Sequence, residues 1–122
     1  MIKKIMILSA IFSIFMAFIG RGQDVFGETS GDNYKLYCAQ CHGLKGNGSG
    51  INKGDMSVAP KNHTDTIEMS RLKDTDLYEA IAHGGVAVGK SALMPPWQGV
   101  MTDAEIREMV AYLRELCHCK GE

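Results

Sequence analysis

The run Cys38-Ala39-Gln40-Cys41-His42 constrains this chain more than any other feature. Two thiols three positions apart, followed at once by an imidazole, form the pattern of a c-type haem attachment site. On a helical or tightly turned backbone both sulfurs point to one side. There they can form thioethers with the two vinyl groups of one porphyrin, and His42 then sits under the iron. CxxC also serves as a redox disulfide or as half of a zinc site. The redox reading calls for a preceding strand and a βαβ unit, and neither is signalled. The zinc reading could recruit Cys117-His118-Cys119 to complete a four-cysteine set. Structural zinc pairs, however, are spaced by two to four residues, and these two cysteines are separated by one. A haem that cannot leave suits a protein that offers it repeatedly to partners, which is the chemistry of an electron carrier.

A chain of 122 residues has room for one domain. Its N-terminus shortens that domain. Lys3 and Lys4 precede an apolar run from Ile5 to Ile19, and a polar stretch follows from Arg21, the layout of a secretory signal peptide. Gly27, with Val25 two before it, offers a cleavage point, dividing the chain into a leader over 1–27 and a domain over 28–122. A retained membrane anchor is the weaker reading, because the apolar run spans only about 22 Å as a helix against roughly 30 Å of hydrocarbon. Export to the periplasm or an equivalent compartment fits the motif, since c-type haem is attached there and free thiols would otherwise oxidise. The formal net charge is −1, and no clustered basic surface of the kind that binds nucleic acid is present. So small a domain has difficulty burying enough apolar area alone, and a fixed porphyrin can act as the centre of its core.

Around the motif, Ser30-Gly31-Asp32 is expected to cap a short helix carrying Tyr34, Leu36 and Tyr37 into Cys38. From Gly43 to Asn62 five glycines interrupt any apolar period, which reads as a long loop wrapping a cofactor edge. Their spacing matches neither a Walker loop nor a dinucleotide fingerprint. A short turn is expected over Thr66 to Leu72. A helix capped by Asp74 or Thr75 follows, with Leu77, Tyr78 and Ile81 on one face and Gly84-Gly85 as its stop. The clearest helix is the last: Thr102-Asp103-Ala104-Glu105 is a capping box, and Ile106, Met109, Val110, Leu113, Leu116 and Cys117 follow at helical spacing. Its opposite face carries Arg107, Glu108, Arg114 and Glu115. The only strand candidate is Val86 to Val88. The expected fold is all-α, three to five short helices and long loops around one haem.

A six-coordinate haem needs a second axial side chain. Met94 is the strongest candidate, because Leu93-Met94-Pro95-Pro96-Trp97 cannot be helical through two prolines and holds the thioether in a stiff, extended segment. Met56, Met69 and Met109 are rivals. His83, at a helix end, and His63, in a polar loop, read as solvated surface histidines, with His118 a further alternative. A second imidazole would give a lower potential than methionine.

Taken together these segments resemble the class I c-type cytochromes, particularly the small bacterial monohaem carriers. The resemblance covers an aromatic before Cys38-Ala39-Gln40-Cys41-His42-Gly43, a glycine-rich loop with Ala59-Pro60, a helix running into Gly84, Met94-Pro95-Pro96-Trp97, and a final helix with Ala111-Tyr112-Leu113. It implies one covalent haem c, no bond chemistry, and transfer of single electrons between larger redox proteins. It also implies that Tyr34 and Tyr112 pack where the first and last helices cross, that the Pro60 carbonyl accepts from the free ring nitrogen of His42, and that Trp97 lines the haem crevice. Two features depart from the family pattern. Ser30 stands where glycine is usual, with Gly31 one place later, and Cys117-His118-Cys119 has no counterpart. An intermolecular disulfide, a local one, a metal clip with His118 and attachment to a partner are all open for that pair. Cys117 continues the apolar stripe as a buried thiol, and an exposed Cys119 is expected to oxidise, so covalent dimers through Cys119 or Cys117 are anticipated. The alternative function is a gas-binding or sensor module from which Met94 readily leaves the iron.

Overall fold

In a computed structural model of the chain, the described residues run from Thr29 to Gly121. The leader assigned to residues 1–27 lies outside them. Helix α1 (Ser30–Asn33) is capped by Thr29, one residue earlier than expected, whose Oγ1 accepts the Asp32 N–H at 3.3 Å. A π-helical turn (Tyr34–Cys38) then joins α1 to α2 (Ala39–His42), with the Ala39 N–H bonded to the Tyr34 carbonyl. The extra residue in that turn re-phases the helix. Tyr34 is fully buried and Cys38 half-buried on the same inward side.

The glycine-rich loop doubles back on the attachment motif. Gly48 N–H bonds the His42 carbonyl at 2.8 Å and Gly50 N–H bonds that of Cys41 at 3.1 Å. A short 3₁₀ turn (Ile51–Asp55) follows. A Cβ at Gly50 would collide with the Gln40 carbonyl and the Cys41 main chain, so no side chain fits there. Gly50→Ala is expected to cost about 1–3 kcal/mol, as other overpacked sites do, seen as a lower Tm. Gly54→Ala, whose Cβ meets nothing, should stay within about 0.5 kcal/mol. Equal effects would show that the loop is not clamped at Gly50.

Helix α3 (Thr66–Ser70) starts where the Asp65 carboxylate accepts the Glu68 N–H at 3.0 Å. Helix α4 (Asp74–His83) begins after Lys73, whose N–H is held by Asp76 at 3.4 Å, so the cap is neither Asp74 nor Thr75. It buries Leu77, Ile81 and Ala82 and ends at Gly84, φ 84°. The strand candidate Val86 to Val88 instead belongs to a 3₁₀ turn (Gly85–Val88) between two left-handed glycines, Gly84 and Gly89. Among the described residues no strand forms, and the fold is all-α.

Helix α5 (Asp103–Cys117) has the expected capping box, with Glu105 N–H to Thr102 Oγ1 at 3.3 Å and Thr102 N–H to Glu105 Oε2 at 2.7 Å. Ile106, Met109, Val110, Leu113 and Cys117 are buried in one core with Tyr34, Met69, Leu77 and Ile81. Where α1 meets α5 the Tyr34 and Tyr112 rings lie 5.4 Å apart, and Gly31 faces Tyr112. Gly31 thus takes the close approach that Ser30 does not.

At the end of α5 one expectation is overturned, and one side chain of the polar face finds buried partners. Arg114 does not face solvent: its side chain is 12% exposed, and the guanidinium bonds Asp74 at 2.8 Å and the carbonyls of Met69 at 2.7 Å and Leu72 at 2.6 Å. Cys117 and Cys119 do not await a second molecule, because they are joined to each other. His118 adopts a left-handed conformation, φ 50°, which turns the chain back over the last helical turn, and Cys119 N–H bonds the Arg114 carbonyl at 3.2 Å. Cys117 is buried as anticipated, but as a disulfide, and Cys119 is half-buried rather than exposed. This intrachain bond consumes the sulfurs that a Cys119- or Cys117-linked dimer requires.

Candidate functional site

The π turn and α2, the loop after Asp55, the face of α4 and the segment 91–97 enclose a cleft of about 850 Å³. That is within the usual range for cofactor sites, roughly 300–1,000 Å³. Cys38, Cys41, His42, Pro60, Met94 and Trp97 all line it, so every site residue read from the sequence reaches the same cavity. Leu72, Leu77, Ile81, Met109 and Leu113 supply apolar wall.

Cys38 and Cys41 are unpaired thiols, both half-buried. Burial, reinforced by Cys41, pushes the Cys38 thiol up to about 12. A sulfur kept uncharged is compatible with ending as a neutral thioether and is ill suited to nucleophilic redox exchange. With Cys117 and Cys119 bonded together, no group of three His, Cys, Asp or Glu able to hold a metal exists among the described residues. The four-cysteine zinc arrangement is absent there.

His42 is held through Nδ1, which donates to the Lys61 carbonyl at 2.9 Å. The expected acceptor was the Pro60 carbonyl. That carbonyl instead faces Gly48, where a Cβ would come within 2.8 Å of it. The loop's register therefore presents the next carbonyl to the ring. With Nδ1 donating, Nε2 keeps its lone pair for a metal. Burial lowers the His42 pKa, outweighing the Lys61 bond, which raises it, and so favours the neutral imidazole that a ligand must be.

Met94 is placed by main-chain bonds on both sides. Its carbonyl accepts from Gly85 N–H at 3.0 Å, and Trp97 and Gln98 N–H bond the carbonyls of Ile81 and Ala82 at 3.0 and 3.1 Å. The segment therefore hangs from the C-terminal end of α4, a turn at Ser91–Met94 leading into the extended prolines. Its indole packed 5.0 Å from the Tyr37 ring, Trp97 forms one side of the cleft. Of the rival methionines, Met56 and Met109 also line the cavity, while Met69 is buried outside it.

Sequence reasoning missed His63. It is 7% exposed rather than solvated, its ring stacks on His42 at 4.1 Å and 20°, and its Nδ1 is 3.0 Å from the Tyr34 hydroxyl. The His63 N–H bonds the Gly46 carbonyl at 2.6 Å, which draws this stretch of polar sequence beneath the loop. Burial, then the neighbouring His42 and Lys61, pushes its pKa down to about 3. His83 is exposed beside Glu79, as expected of a surface histidine.

Comparison with known proteins gives two findings. The family described as cytochrome C oxidase, cbb3-type, subunit III matches residues 27–113. Among solved structures, a chain of the Kuenenia stuttgartiensis reducing HAO-like protein complex Kustc0457/Kustc0458 is similar, with 28% identity and a TM-score of 0.58. The similarity covers 74% of this chain and 42% of that one. Among curated proteins no match is found.

Proposed function

The chain belongs to the family of cbb3-type cytochrome c oxidase subunit III, a class I c-type cytochrome family whose work is haem-based electron transfer, and on that premise we propose that it is an exported monohaem carrier with His42 and Met94 as axial ligands. The observation that carries this reading is the convergence of Cys38, Cys41, His42 and Met94 on one largely apolar cleft. Cys38 and Cys41 would hold the haem through thioethers. When bound, the haem supplies an iron centre that gains and loses one electron. Lys61 fixes the tautomer of His42 through its carbonyl, and the bonds around Gly85, Trp97 and Gln98 keep Met94 on the cleft wall. Leu72, Leu77, Ile81 and Leu113 exclude water, so little around the metal rearranges as charge changes.

The protein itself does no bond chemistry in this reading, and its partners are larger redox proteins that donate and accept electrons. The similar Kuenenia chain, found in a reducing HAO-like complex, is consistent with such partners. Residues 1–27 act as the export leader, and the work is done in the periplasm or its equivalent. The test is production with c-type haem maturation, visible spectra of both oxidation states, and haem staining after denaturing electrophoresis. Stain that stays with the chain, and is lost in the Cys38→Ala/Cys41→Ala double variant, is expected. A colourless wild-type protein, or haem that washes out on denaturation, would sink the proposal.

A further inference from the structure

We infer that His63 is a positioning residue for His42: it lies flat against the His42 imidazole and fixes the plane of that ring, and Tyr34 fixes His63. The inference rests on His42 being an iron ligand, as proposed above.

The Lys61 carbonyl holds His42 at one atom, Nδ1, at 2.9 Å. A carbonyl oxygen accepts over a broad range of directions. That bond therefore fixes where Nδ1 points better than it fixes the tilt of the ring. The missing restraint is a flat surface behind the ring, and His63 supplies one at 4.1 Å and 20°. In a close-packed interior a tilt of His42 would drive it into His63.

His63 can serve as that surface because it is itself locked. Its main-chain N–H is bonded to Gly46, its Nδ1 meets the Tyr34 hydroxyl at 3.0 Å, and almost none of it reaches solvent. Tyr34 is 1% exposed and wedged against Tyr112. It also opens the π turn that ends at Cys38. The helical turn that presents the first attachment cysteine, Cys38, thus also carries the hydroxyl that locks the histidine behind the metal ligand. Groups behind a ligating histidine commonly set its orientation and basicity.

The plane of an axial imidazole governs how unevenly the haem methyl protons are shifted in the ferric state, and the Nδ1 hydrogen bond sets ligand basicity and hence potential. The test is proton NMR and redox titration of haem-loaded protein. Tyr34→Phe and His63→Leu are expected to change the spread of the methyl shifts and to raise the potential, because a tilted His42 donates less well to Lys61. His63→Phe, which restores a ring but gives Tyr34 nothing to hold, should recover only part of the wild-type spread and so fall with Tyr34→Phe, between His63→Leu and the wild type. Met69→Leu, a buried change away from the cleft, should lower Tm and leave the methyl shifts unmoved. If Tyr34→Phe and His63→Leu lower Tm but leave methyl shifts and potential as in the wild type, His63 is packing alone and the inference falls. Tyr34→Phe removes one oxygen atom and carries the test by itself if His63→Leu does not fold. A wild-type ferric spectrum without a histidine-ligated haem defeats instead the functional reading on which this rests.

Discussion

Arg114→Leu is expected to lower the stability of the haem-loaded protein by about 1–3 kcal/mol, since the Leu72 carbonyl is left without a donor, while the Met69 carbonyl keeps the Leu72 N–H at 3.2 Å. The guanidinium fork reaches two carbonyls at once, Met69 at the end of α3 and Leu72 just before α4, from a side chain that is 12% exposed. Leucine replaces the apolar stem and none of the donors. The Asp74 carboxylate is 68% exposed, so losing that ion pair adds little. For a domain of this size the loss corresponds to a Tm drop of roughly 5–25 °C. Arg114→Lys should recover only part of it, because an ammonium cannot make the same planar fork. Arg107→Leu provides the comparison: Arg107 pairs with Asp103 from a side chain 68% exposed, and its loss should stay within about 1 kcal/mol. Calorimetry showing equal, small drops for Arg114→Leu and Arg107→Leu would remove Arg114 from the framework.

Met94→Ala should open the iron to external ligands without unfolding the cleft. The bonds that place this segment run through the main chain, from Gly85 N–H to the Met94 carbonyl and from Trp97 and Gln98 to α4. Alanine preserves all of them. Carbon monoxide should therefore bind the reduced variant promptly and the reduced wild type poorly. The potential should fall, since methionine ligation raises it. Met56→Ala, at another residue lining the cleft, should leave both properties unchanged. A Met94→Ala protein that still refuses carbon monoxide would mean that another side chain is the ligand. Prompt binding by the wild type would instead favour the gas-sensing alternative.

The parts of this protein that were legible in the sequence are those with short-range causes. CxxCH is a short-range spacing, so it points to haem without reference to the rest of the fold. The capping box at Thr102 and the apolar stripe from Ile106 to Cys117 are likewise local, and helix α5 follows them closely. The prolines after Met94 forbid helix, and the segment is not helical. Placing Pro60 and Trp97 at the cleft came from resemblance to the family, and both line it.

What escaped the sequence depends on which distant groups meet. Lys61 rather than Pro60 offers its carbonyl to His42 because the loop between Gly43 and Asn62 closes in one register, set by main-chain bonds that carry no side-chain signature. His63 sits among polar residues and yet is buried, since Gly46 pulls it under that loop and Tyr34 meets it from another element. Arg114 belongs by period to the polar face of α5 but finds the Met69 and Leu72 carbonyls at and just after the end of α3. Cys119 pairs with Cys117 because a single left-handed residue reverses the chain. The sequence by itself determined the haem class of cofactor and the course of α4 and α5, whose causes lie within a few residues. Only the tertiary structure decided the partners of His42, His63, Arg114 and Cys119, because burial and hydrogen-bond pairing are settled by long-range packing.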